Sequence, residues 1–366
     1  MFSNVFKGKT VFITGHTGFK GGWLSAWLLK MGANVAGFSR DVPTKPSIFE
    51  VLGLENKIKH IVGDVRDLKA LQSAIDDVKP DFVFHLAAQA IVSTSYSDPV
   101  DTISTNAIGT MNVLESLRST QKSCVAVMIT SDKCYDNVEW PWGYRETDAL
   151  GGKDIYSGSK GAAELVVKSY CHSFFQQDHP VKIGVGRAGN VIGGGDWAKD
   201  RIVVDCVQSW SRGESVEIRS PKATRPWQHV LEPLSGYLTL AESLANQSDL
   251  HGETFNFGPR AEQNRTVVQL LTDLHKTWES TSVEKAYDVT DNIPFHEAGL
   301  LKLNCDKALL HLQWESNLDY AETIEMVGTW YSNFYSEKTD MYDFTLQQIA
   351  SYEGLAKERQ RVWSQK

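Results

Sequence analysis

A glycine-rich turn near the N-terminus constrains the fold of this chain more than any other stretch. Residues 10–14 (TVFIT) form a short apolar run rich in β-branched side chains, which predicts a buried strand. Gly15, Gly18 and Gly21 follow directly, and residues 23–31 then repeat apolar side chains at helical spacing. Because a second strand-like run comes next, the sequence predicts a βαβ unit with the glycine turn at its first connection.

The need for glycine at these positions has a physical explanation. A pyrophosphate can approach the backbone closely only where no Cβ blocks it, and the N-terminus of the following helix faces the anion. We therefore predict that the turn binds the pyrophosphate of a dinucleotide. The residues expected to take part are Gly15, His16, Thr17, Gly18, Phe19, Lys20 and Gly21.

The end of the second strand distinguishes NAD from NADP in such sites. An acid there bonds the ribose 2′-hydroxyl, whereas an arginine accepts a 2′-phosphate. Ser39 and Arg40 favour NADP and Asp41 favours NAD, so these residues leave both cofactors open. Asp64, which follows the third strand, either contacts the adenine amino group or only closes a strand-end turn.

Strands and helices alternate through the first half of the chain. This alternation predicts an α/β fold of the Rossmann type, a doubly wound parallel sheet with helices on both faces. After Gly193-Gly194-Gly195 the rhythm weakens, and shorter elements predict a smaller C-terminal α/β lobe that binds the substrate. We therefore divide the chain into a dinucleotide-binding domain, 1–188, and a mainly substrate-binding lobe, 189–366, some segments of which are free to return to the sheet.

Composition excludes several classes of protein. The 366 residues carry a formal net charge of −8, which disfavours non-specific binding of nucleic acid. No apolar run is long enough to cross a bilayer, and no signal peptide is recognisable. Five dispersed cysteines without a C-x-x-C pair are typical of reduced thiols rather than of disulfides or a zinc site. We expect a cytoplasmic protein without a metal.

Tyr156 and Lys160 form a Tyr-x-x-x-Lys pair in a predicted helix. A spacing of four residues puts the phenol and the ammonium on one helix face, one turn apart. A nearby positive charge favours the phenolate, so we expect a lowered pKa for Tyr156, which would let it act as a general base. Alternatively, the pair lies on a solvated helix face and has no chemical role. The hydroxyl-rich stretch at Ser131 and the glycine turn favour a catalytic role.

Eight stretches make the chain similar to the extended short-chain dehydrogenase/reductases, particularly the sugar-nucleotide 4,6-dehydratases. The resemblance extends over nearly the whole chain, and WGYRETDALGGKDIYSGSK (142–160) with GGGDW looks most like the CDP-glucose branch. The stretches are TGHTGFKG (14–21), HLAAQ (85–89), TNAIGTMNVLE (105–115), ITSDKCYDN (129–137), YSGSK (156–160), GRAGNVIGGGDW (186–197), RPWQHV (225–230) and FNFGP (255–259).

The resemblance implies catalytic roles for several of these residues. Ser131 would hydrogen-bond the sugar 4-hydroxyl beside Tyr156, and Lys160 would bond the nicotinamide ribose. Asp132 matches the acid that protonates the departing 6-hydroxyl. Lys133 stands where the dTDP-glucose branch has a glutamate that removes the C5 proton, and a lysine can do so only if its pKa is depressed. Alternatively, Lys133 is an ion-paired loop residue and Asp132 a turn cap.

The resemblance and the arginine content add binding residues. NAD is the predicted cofactor, with NADP as the alternative, and further contacts to it are expected from Val65, Leu86, Ala87, Ala88 and Asn106. Guanidinium groups suit a diphosphate, and His296 falls in a loop that could reach the pocket. The expected substrate-binding residues are Arg187, Asn190, Arg201, Arg225 and His296.

The expected activity is that of a CDP-glucose 4,6-dehydratase, a lyase that forms a precursor of deoxysugars in surface polysaccharide such as lipopolysaccharide O-antigen. Three alternatives stay open, namely a nucleotide-sugar 4-epimerase, a GDP-mannose 4,6-dehydratase that uses NADP, and a catalytically silent dinucleotide sensor or scaffold. In related proteins, helices equivalent to 100–119 and 156–176 pair two subunits in a four-helix contact. We therefore expect a homodimer or homotetramer, although these apolar faces could equally pack on the sheet.

Overall fold

A seven-stranded parallel sheet forms the centre of the computed structural model, which describes residues 1–366 except 177, 219–220, 222, 247–248, 261–262, 279–285, 291–299, 338 and 366. Its strands run in the spatial order β11-β6-β5-β4-β1-β2-β3. Each neighbouring pair is parallel. The strands are β1 (Thr10–Thr14), β2 (Asn34–Ser39), β3 (Lys59–Val62), β4 (Phe82–His85), β5 (Cys124–Ile129), β6 (Val181–Ala188) and β11 (Thr254–Phe257).

Among the residues that the structure describes, six short strands form three pairs outside this sheet. β7 lies parallel to β10, β8 lies parallel to β13, and β9 lies antiparallel to β12. Their bounds are β7 (Val191–Ile192), β8 (Val216–Ile218), β9 (Thr224–Pro226), β10 (Gln228–His229), β12 (Asn264–Thr266) and β13 (Tyr287–Val289).

Helices cover both faces of the sheet, which confirms the predicted fold class. Alternate residues of each strand serve opposite faces, so Val11 and Ile13 pack on one side and Phe12 on the other. α1 and α9 lie on the first side, and α3, α6 and α7 lie on the second. The helices are α1 (Phe19–Lys30), α2 (Ile48–Val51), α3 (Leu68–Val78), α4 (Val92–Ser97), α5 (Pro99–Ile103), α6 (Gly109–Arg118), α7 (Ile155–Ser173), α8 (Ile202–Ser211), α9 (Leu231–Asn246), α10 (Val267–Lys276), α11 (Asp306–Leu312), α12 (Tyr320–Ser336), α13 (Met341–Glu358) and α14 (Val362–Gln365).

The single helix predicted over 100–119 is interrupted. A π turn over Ser104–Ile108 separates α5 from α6. The periodicity of the sequence does not show this wider turn, because one extra residue shifts the apolar stripe by less than a third of a turn. The turn carries Asn106, whose buried side chain is held by Gln89 and Ser159.

The second half of the chain contributes directly to the main sheet. β11 pairs with β6, and α9 packs against β5 and β6. The same half also forms β8, α8 and β9, each of which contributes side chains to the cleft described below. The proposed boundary at residue 188 therefore divides the chain in sequence, while the sheet itself draws on both sides of it.

The C-terminal helices close over the helix that follows the glycine turn. α1 buries both Trp23 and Trp27, and a helix apolar all round must be covered on both sides. The sheet covers one side and α13 the other, where Glu353 accepts hydrogen bonds from Trp27 Nε1 (2.9 Å) and Lys30 Nζ (2.5 Å). The sequence assigned no role to this tail. Within the described residues, no helix has the length and apolar character needed to cross a membrane.

Trp363 joins this tail to the N-terminus, so its removal tests the closure. Its indole is 1 % exposed and stacks on Phe2 (4.9 Å between ring centroids) and on Tyr352 (5.7 Å). We predict that Trp363→Ala lowers the free energy of unfolding by about 3–5 kcal/mol, as for other buried large side chains. Urea denaturation measures the change. Trp142→Ala, at a tryptophan that is 65 % exposed, is the control and should cost far less.

Candidate active site

A cleft of about 1380 Å³ opens at the carboxyl ends of the parallel strands. Loops after β1, β2, β3, β4, β5 and β6 line it on the sheet side, and residues of the second half of the chain line it opposite. Open α/β sheets bind ligands at this edge, because all strand-to-helix loops meet there. The cleft is therefore the candidate active site.

The glycine turn takes its shape from backbone contacts. Gly15 has a φ of +77°, and a Cβ on it would lie 2.6 Å from Ala87 N. A Cβ on Gly21 would lie 2.3 Å from Gly15 O, whereas one on Gly18 would make ordinary contact at 3.4 Å. Gly15 and Gly21 therefore let the turn close on α1 and β4, and Gly18 leaves bare backbone facing the cleft.

His16 faces away from the cleft, so its predicted cofactor contact is not supported. Its ring lies against Gly37, where a Cβ would come within 2.2 Å. Nδ1 is hydrogen-bonded to Ser39 Oγ (2.9 Å) and Nε2 to His60 Nδ1 (2.7 Å). Burial lowers the pKa of His16 to about 3, and the neighbouring His60 adds to this effect. The side chain thus holds the turn to β2 and β3, while Ser39 still lines the cleft.

Acidic side chains surround Arg40 at the end of β2. Its Nε donates to Asp41 Oδ2 at 3.0 Å, and its Nη1 lies 3.5 Å from Asp101 Oδ1. Asp64 is likewise engaged, because the Arg66 guanidinium donates to both of its oxygens and lowers its pKa. Arg66 also contacts Asp101 at 2.6 Å. Three carboxylates and two guanidinium groups therefore alternate around this end of the cleft.

Four of the five other predicted cofactor residues line the cleft. They are Val65, Leu86, Ala87 and Ala88. The fifth, Asn106, is 2 % exposed and faces the protein: its Oδ1 accepts from Gln89 N, and its Nδ2 donates to Gln89 O and to Ser159 Oγ at 2.8 Å. Asn106 therefore joins the loop after β4 to α7, and these contacts do not support its predicted contact with the cofactor.

Tyr156, Lys160 and Ser131 meet in the middle of the cleft. The Lys160 Nζ lies 6.0 Å from the centroid of the Tyr156 ring. The expected fall in the pKa of Tyr156 is wrong for the protein groups alone. Burial raises this pKa to about 12, and a hydrogen bond with Ser131 opposes the rise. Burial also lowers the pKa of Lys160 to about 8, so the site disfavours both charged forms.

Asp132 and Lys133 lie in a short 3₁₀ turn after β5 that Ser131 caps by accepting a hydrogen bond from Lys133 N. We call residues 131–133 the reactive turn. Asp132 is 4 % exposed and accepts from Ser131 Oγ at 2.9 Å. It packs on Gly189, where a Cβ would lie 2.2 Å from its Oδ2. Lys133 is half-buried, and both side chains line the cleft.

Two cationic side chains, Lys20 and Arg201, line the cleft close to acidic groups. Burial lowers the pKa of Lys20 to about 8, nearby Arg201 lowers it further, and Asp132 and Asp196 oppose the change. Asp196 accepts a hydrogen bond from Arg201 Nη1 at 2.9 Å. Lys20, predicted from the glycine turn, therefore faces the centre of the cleft.

The predicted substrate residues divide into three groups. Asn190, Arg201 and Arg225 line the cleft. The position of Arg187 does not support its predicted contact with a diphosphate. Its side chain is 3 % exposed and pairs with Glu164 inside the protein. His296 lies outside the described residues.

Sequence reasoning missed several residues that shape the site. Glu164 follows Lys160 by one turn of α7, a spacing that already placed it on the face of the Tyr-Lys pair. Thr130 and Tyr135 flank the reactive turn and give no comparable signal, because their contacts come from distant segments. Trp227 lines the cleft with its buried Nε1 unpartnered among the described residues.

Comparison with known proteins agrees with this architecture. The profile of the family described as GDP-mannose 4,6 dehydratase matches residues 12–327. The CDP-glucose 4,6-dehydratase of Salmonella typhimurium strain LT2 is 45 % identical over 353 residues, which cover 95 % of this chain and 97 % of that protein.

Solved structures show the same fold at lower identity. UDP-glucose 4-epimerase from Thermotoga maritima superposes with a TM-score of 0.76 at 21 % identity, covering 89 % of this chain and 99 % of that one. A dTDP-glucose 4,6-dehydratase from Bacillus anthracis, solved in complex with NAD, gives a TM-score of 0.73 at 18 % identity, with coverage of 89 % and 97 %.

Proposed function

Because the chain belongs to the GDP-mannose 4,6-dehydratase family, we propose that it is a lyase that converts CDP-D-glucose to CDP-4-keto-6-deoxy-D-glucose with loss of water. The observation that carries this proposal is the 45 % identity to a CDP-glucose 4,6-dehydratase over nearly the full length of both chains. The presence of Ser131, Asp132, Lys133, Tyr156 and Lys160 in one cleft supports it. A catalytically silent scaffold has no need of these five groups together.

The residues at the glycine turn fit a dinucleotide. Gly15 and Gly21 close the turn so that the N-terminus of α1 and the bare backbone at Gly18 face the cleft, which suits a pyrophosphate. When bound, NAD would supply the acceptor for the hydride from C4 of the sugar, the donor of that hydride to C6, and a positive charge. We propose that Ser39, Val65, Leu86, Ala87 and Ala88 form the remaining walls of its site.

The surroundings of Arg40 support NAD rather than NADP. Asp41 and Asp101 already engage its guanidinium, and Asp64 adds a third carboxylate nearby. A 2′-phosphate would have to displace these carboxylates from Arg40 and tolerate their repulsion. A 2′-hydroxyl instead needs only an acceptor, which Asp41 offers.

Tyr156 acts first in the proposed reaction, taking the proton of the sugar 4-hydroxyl while Ser131 hydrogen-bonds the same oxygen. Because burial raises the pKa of Tyr156, the phenolate needs positive charge close to it. Lys160 and the cofactor are the proposed sources of this charge.

Asp132 and Lys133 carry out the elimination. The 4-ketone acidifies the C5 proton, Lys133 removes that proton, and Asp132 protonates the C6 oxygen so that water leaves. Lys133 then returns a proton to C5 as the hydride taken from C4 reaches C6, which becomes a methyl group. The proton that Tyr156 took from the 4-hydroxyl replaces, through solvent, the one that Asp132 gave up, so the net change is the loss of one water. We propose that Arg201, Arg225 and Asn190, all of which line the cleft, hold the CDP group.

The free cysteines support a cytoplasmic location, since none of the five is paired. The proposed product would feed the synthesis of deoxysugars for surface polysaccharide such as O-antigen.

A panel of CDP-, dTDP-, GDP- and UDP-glucose tests the proposed reaction. We expect water loss with CDP-glucose, detected as the keto-sugar chromophore in alkali, and at least about a hundredfold loss of this activity in Tyr156→Phe. Tyr170→Phe on the same helix should keep it, because Tyr170 contacts Glu115 instead. Formation of an epimeric sugar, or full activity in Tyr156→Phe, would contradict the proposal.

Lys133→Met tests the proposed base. We expect solvent deuterium to stop entering C5 of the product and the dehydration rate to fall at least about a hundredfold, since no amine remains to take the proton. Lys168→Met, at an exposed lysine of α7, is the matched control and should leave both unchanged. Undiminished deuterium at C5 in Lys133→Met would assign the base to another group.

We further propose that two copies pair through α5, α6 and α7, which lie side by side. Exposed apolar side chains in this region include Val100 of α5 (76 %), Ile108 of the π turn between α5 and α6 (41 %) and Leu165 of α7 (55 %). Leu165→Glu is expected to halve the mass measured by light scattering, because a charge would be buried in the contact. Leu310→Glu, at a 75 % exposed position of α11, should not change it. An unchanged mass for Leu165→Glu would exclude this contact.

A further inference from the structure

We propose that the buried ion pair between Glu164 and Arg187 positions the reactive turn for the elimination step. The inference rests on the proposed function, since it assigns Asp132 and Lys133 to that step. Neither Glu164 nor Arg187 lines the cleft, so both act through other residues. They are positioning residues in this proposal.

The ion pair is well formed and dry. Arg187 Nε and Nη2 donate to the two carboxylate oxygens of Glu164, each at 2.8 Å, in a two-pronged arrangement. Both side chains are 3 % exposed. A two-pronged contact fixes orientation as well as distance, and burial removes competing water. The pair therefore forms a rigid link between β6, which carries Arg187, and α7, which carries Glu164.

The same two side chains hold both ends of the reactive turn. Before the turn, Thr130 Oγ1 donates to Glu164 Oε1 at 2.5 Å. After the turn, Tyr135 Oη accepts from Arg187 Nη1 at 2.7 Å. Ser131, Asp132 and Lys133 lie between these two contacts. One ion pair thus holds the segment on both sides of the residues that the elimination needs.

The Tyr135 hydroxyl is also held by a second residue, Asn256. Tyr135 Oη donates to Asn256 Oδ1 at 2.8 Å, and Asn256 Nδ2 donates to the carbonyls of Tyr144 and Asn304. Asn256 belongs to β11, which lies next to β6 in the sheet. The end of the turn is therefore fixed to two neighbouring strands.

Glu164 also shares a helix with the other reacting groups. It stands four residues after Lys160 and eight after Tyr156 on α7, so all three lie on one face. The reactive turn is therefore fixed in position relative to α7, the helix that carries Tyr156. Tyr156 acts at the 4-hydroxyl, and Asp132 and Lys133 act at C6 and C5 of the same sugar. We call the hydrogen bonds of Thr130 to Glu164 and of Tyr135 to Arg187 the clamp. Loss of the clamp should therefore misplace the elimination groups and leave the Tyr156 phenol in position.

Two conservative variants cut the clamp without unpairing the buried charges. Thr130→Val removes one hydrogen bond while Glu164 keeps Arg187 as its partner. Tyr135→Phe removes the other, and Arg187 keeps Glu164. Replacing Glu164 or Arg187 would leave a buried charge without a partner and could prevent folding. Tyr352→Phe is the matched control, since it removes a buried tyrosine hydroxyl that contacts Glu232 and Ser235.

Deuterium isotope effects on kcat separate the steps. Substrate deuterated at C5 reports the elimination, and substrate deuterated at C4 reports hydride transfer. For Thr130→Val, Tyr135→Phe and the double variant we expect kcat to fall about tenfold or more, as for other small misplacements of reacting groups. The C5 effect should rise and the C4 effect should fall towards unity. KM should stay close to that of the unchanged protein, and Tyr352→Phe should alter neither isotope effect.

Two results would overturn the inference while leaving the proposed function intact. One is unchanged isotope effects in the Thr130 and Tyr135 variants. The other is a loss of kcat with no rise in the C5 effect, which would indicate a purely structural role. Failure of the proposed function shows differently, because the unchanged protein would then release no water from CDP-glucose. A different productive nucleotide sugar would replace CDP-glucose in the same comparison.

Discussion

Burial of Tyr156 and Lys160 is the constraint on which the site depends. Tyr156 and Lys160 are 7 % and 6 % exposed, and burial moves the pKa of the phenol up and that of the ammonium down. Both shifts disfavour the charged form, so Tyr156 and Lys160 are each closer to their neutral forms in the protein than in water. The charged form of either side chain must therefore be stabilised by other charged groups close to it. The same burial strengthens the electrostatic interactions that these two side chains do make.

The two ends of the cleft are built in different ways. At the cofactor end the backbone decides the shape, because Gly15 and Gly21 leave no room for a Cβ and Gly18 presents bare backbone. At the sugar end side chains decide it, and several come from segments after residue 188 that return to the sheet edge. A buried ion pair between α7 and β6 contacts the residues on both sides of the reactive turn.

Several features of the site followed from local sequence. The glycine turn, the βαβ unit around it and the i, i+4 relation of Tyr156 and Lys160 are properties of contiguous residues. Predictions failed where a side chain had a choice of partners. His16 bonds Ser39 and His60 rather than facing the cleft, and Arg187 pairs with Glu164 rather than lining it. Residue type alone cannot distinguish these alternatives, since a buried arginine and a ligand-binding arginine look the same in a sequence.

The sequence by itself determined the fold class, and it supplied the glycine turn and the proposed reacting groups, because each depends on periodicity or on residues close together in the chain. The tertiary structure alone decided the direction of the Tyr156 pKa shift, since burial is a sum over distant segments. It likewise decided that Thr130 and Tyr135 hold the reactive turn, and that α13 and Trp363 close over α1. These contacts join residues far apart in the chain, and a linear pattern carries no record of which ones meet.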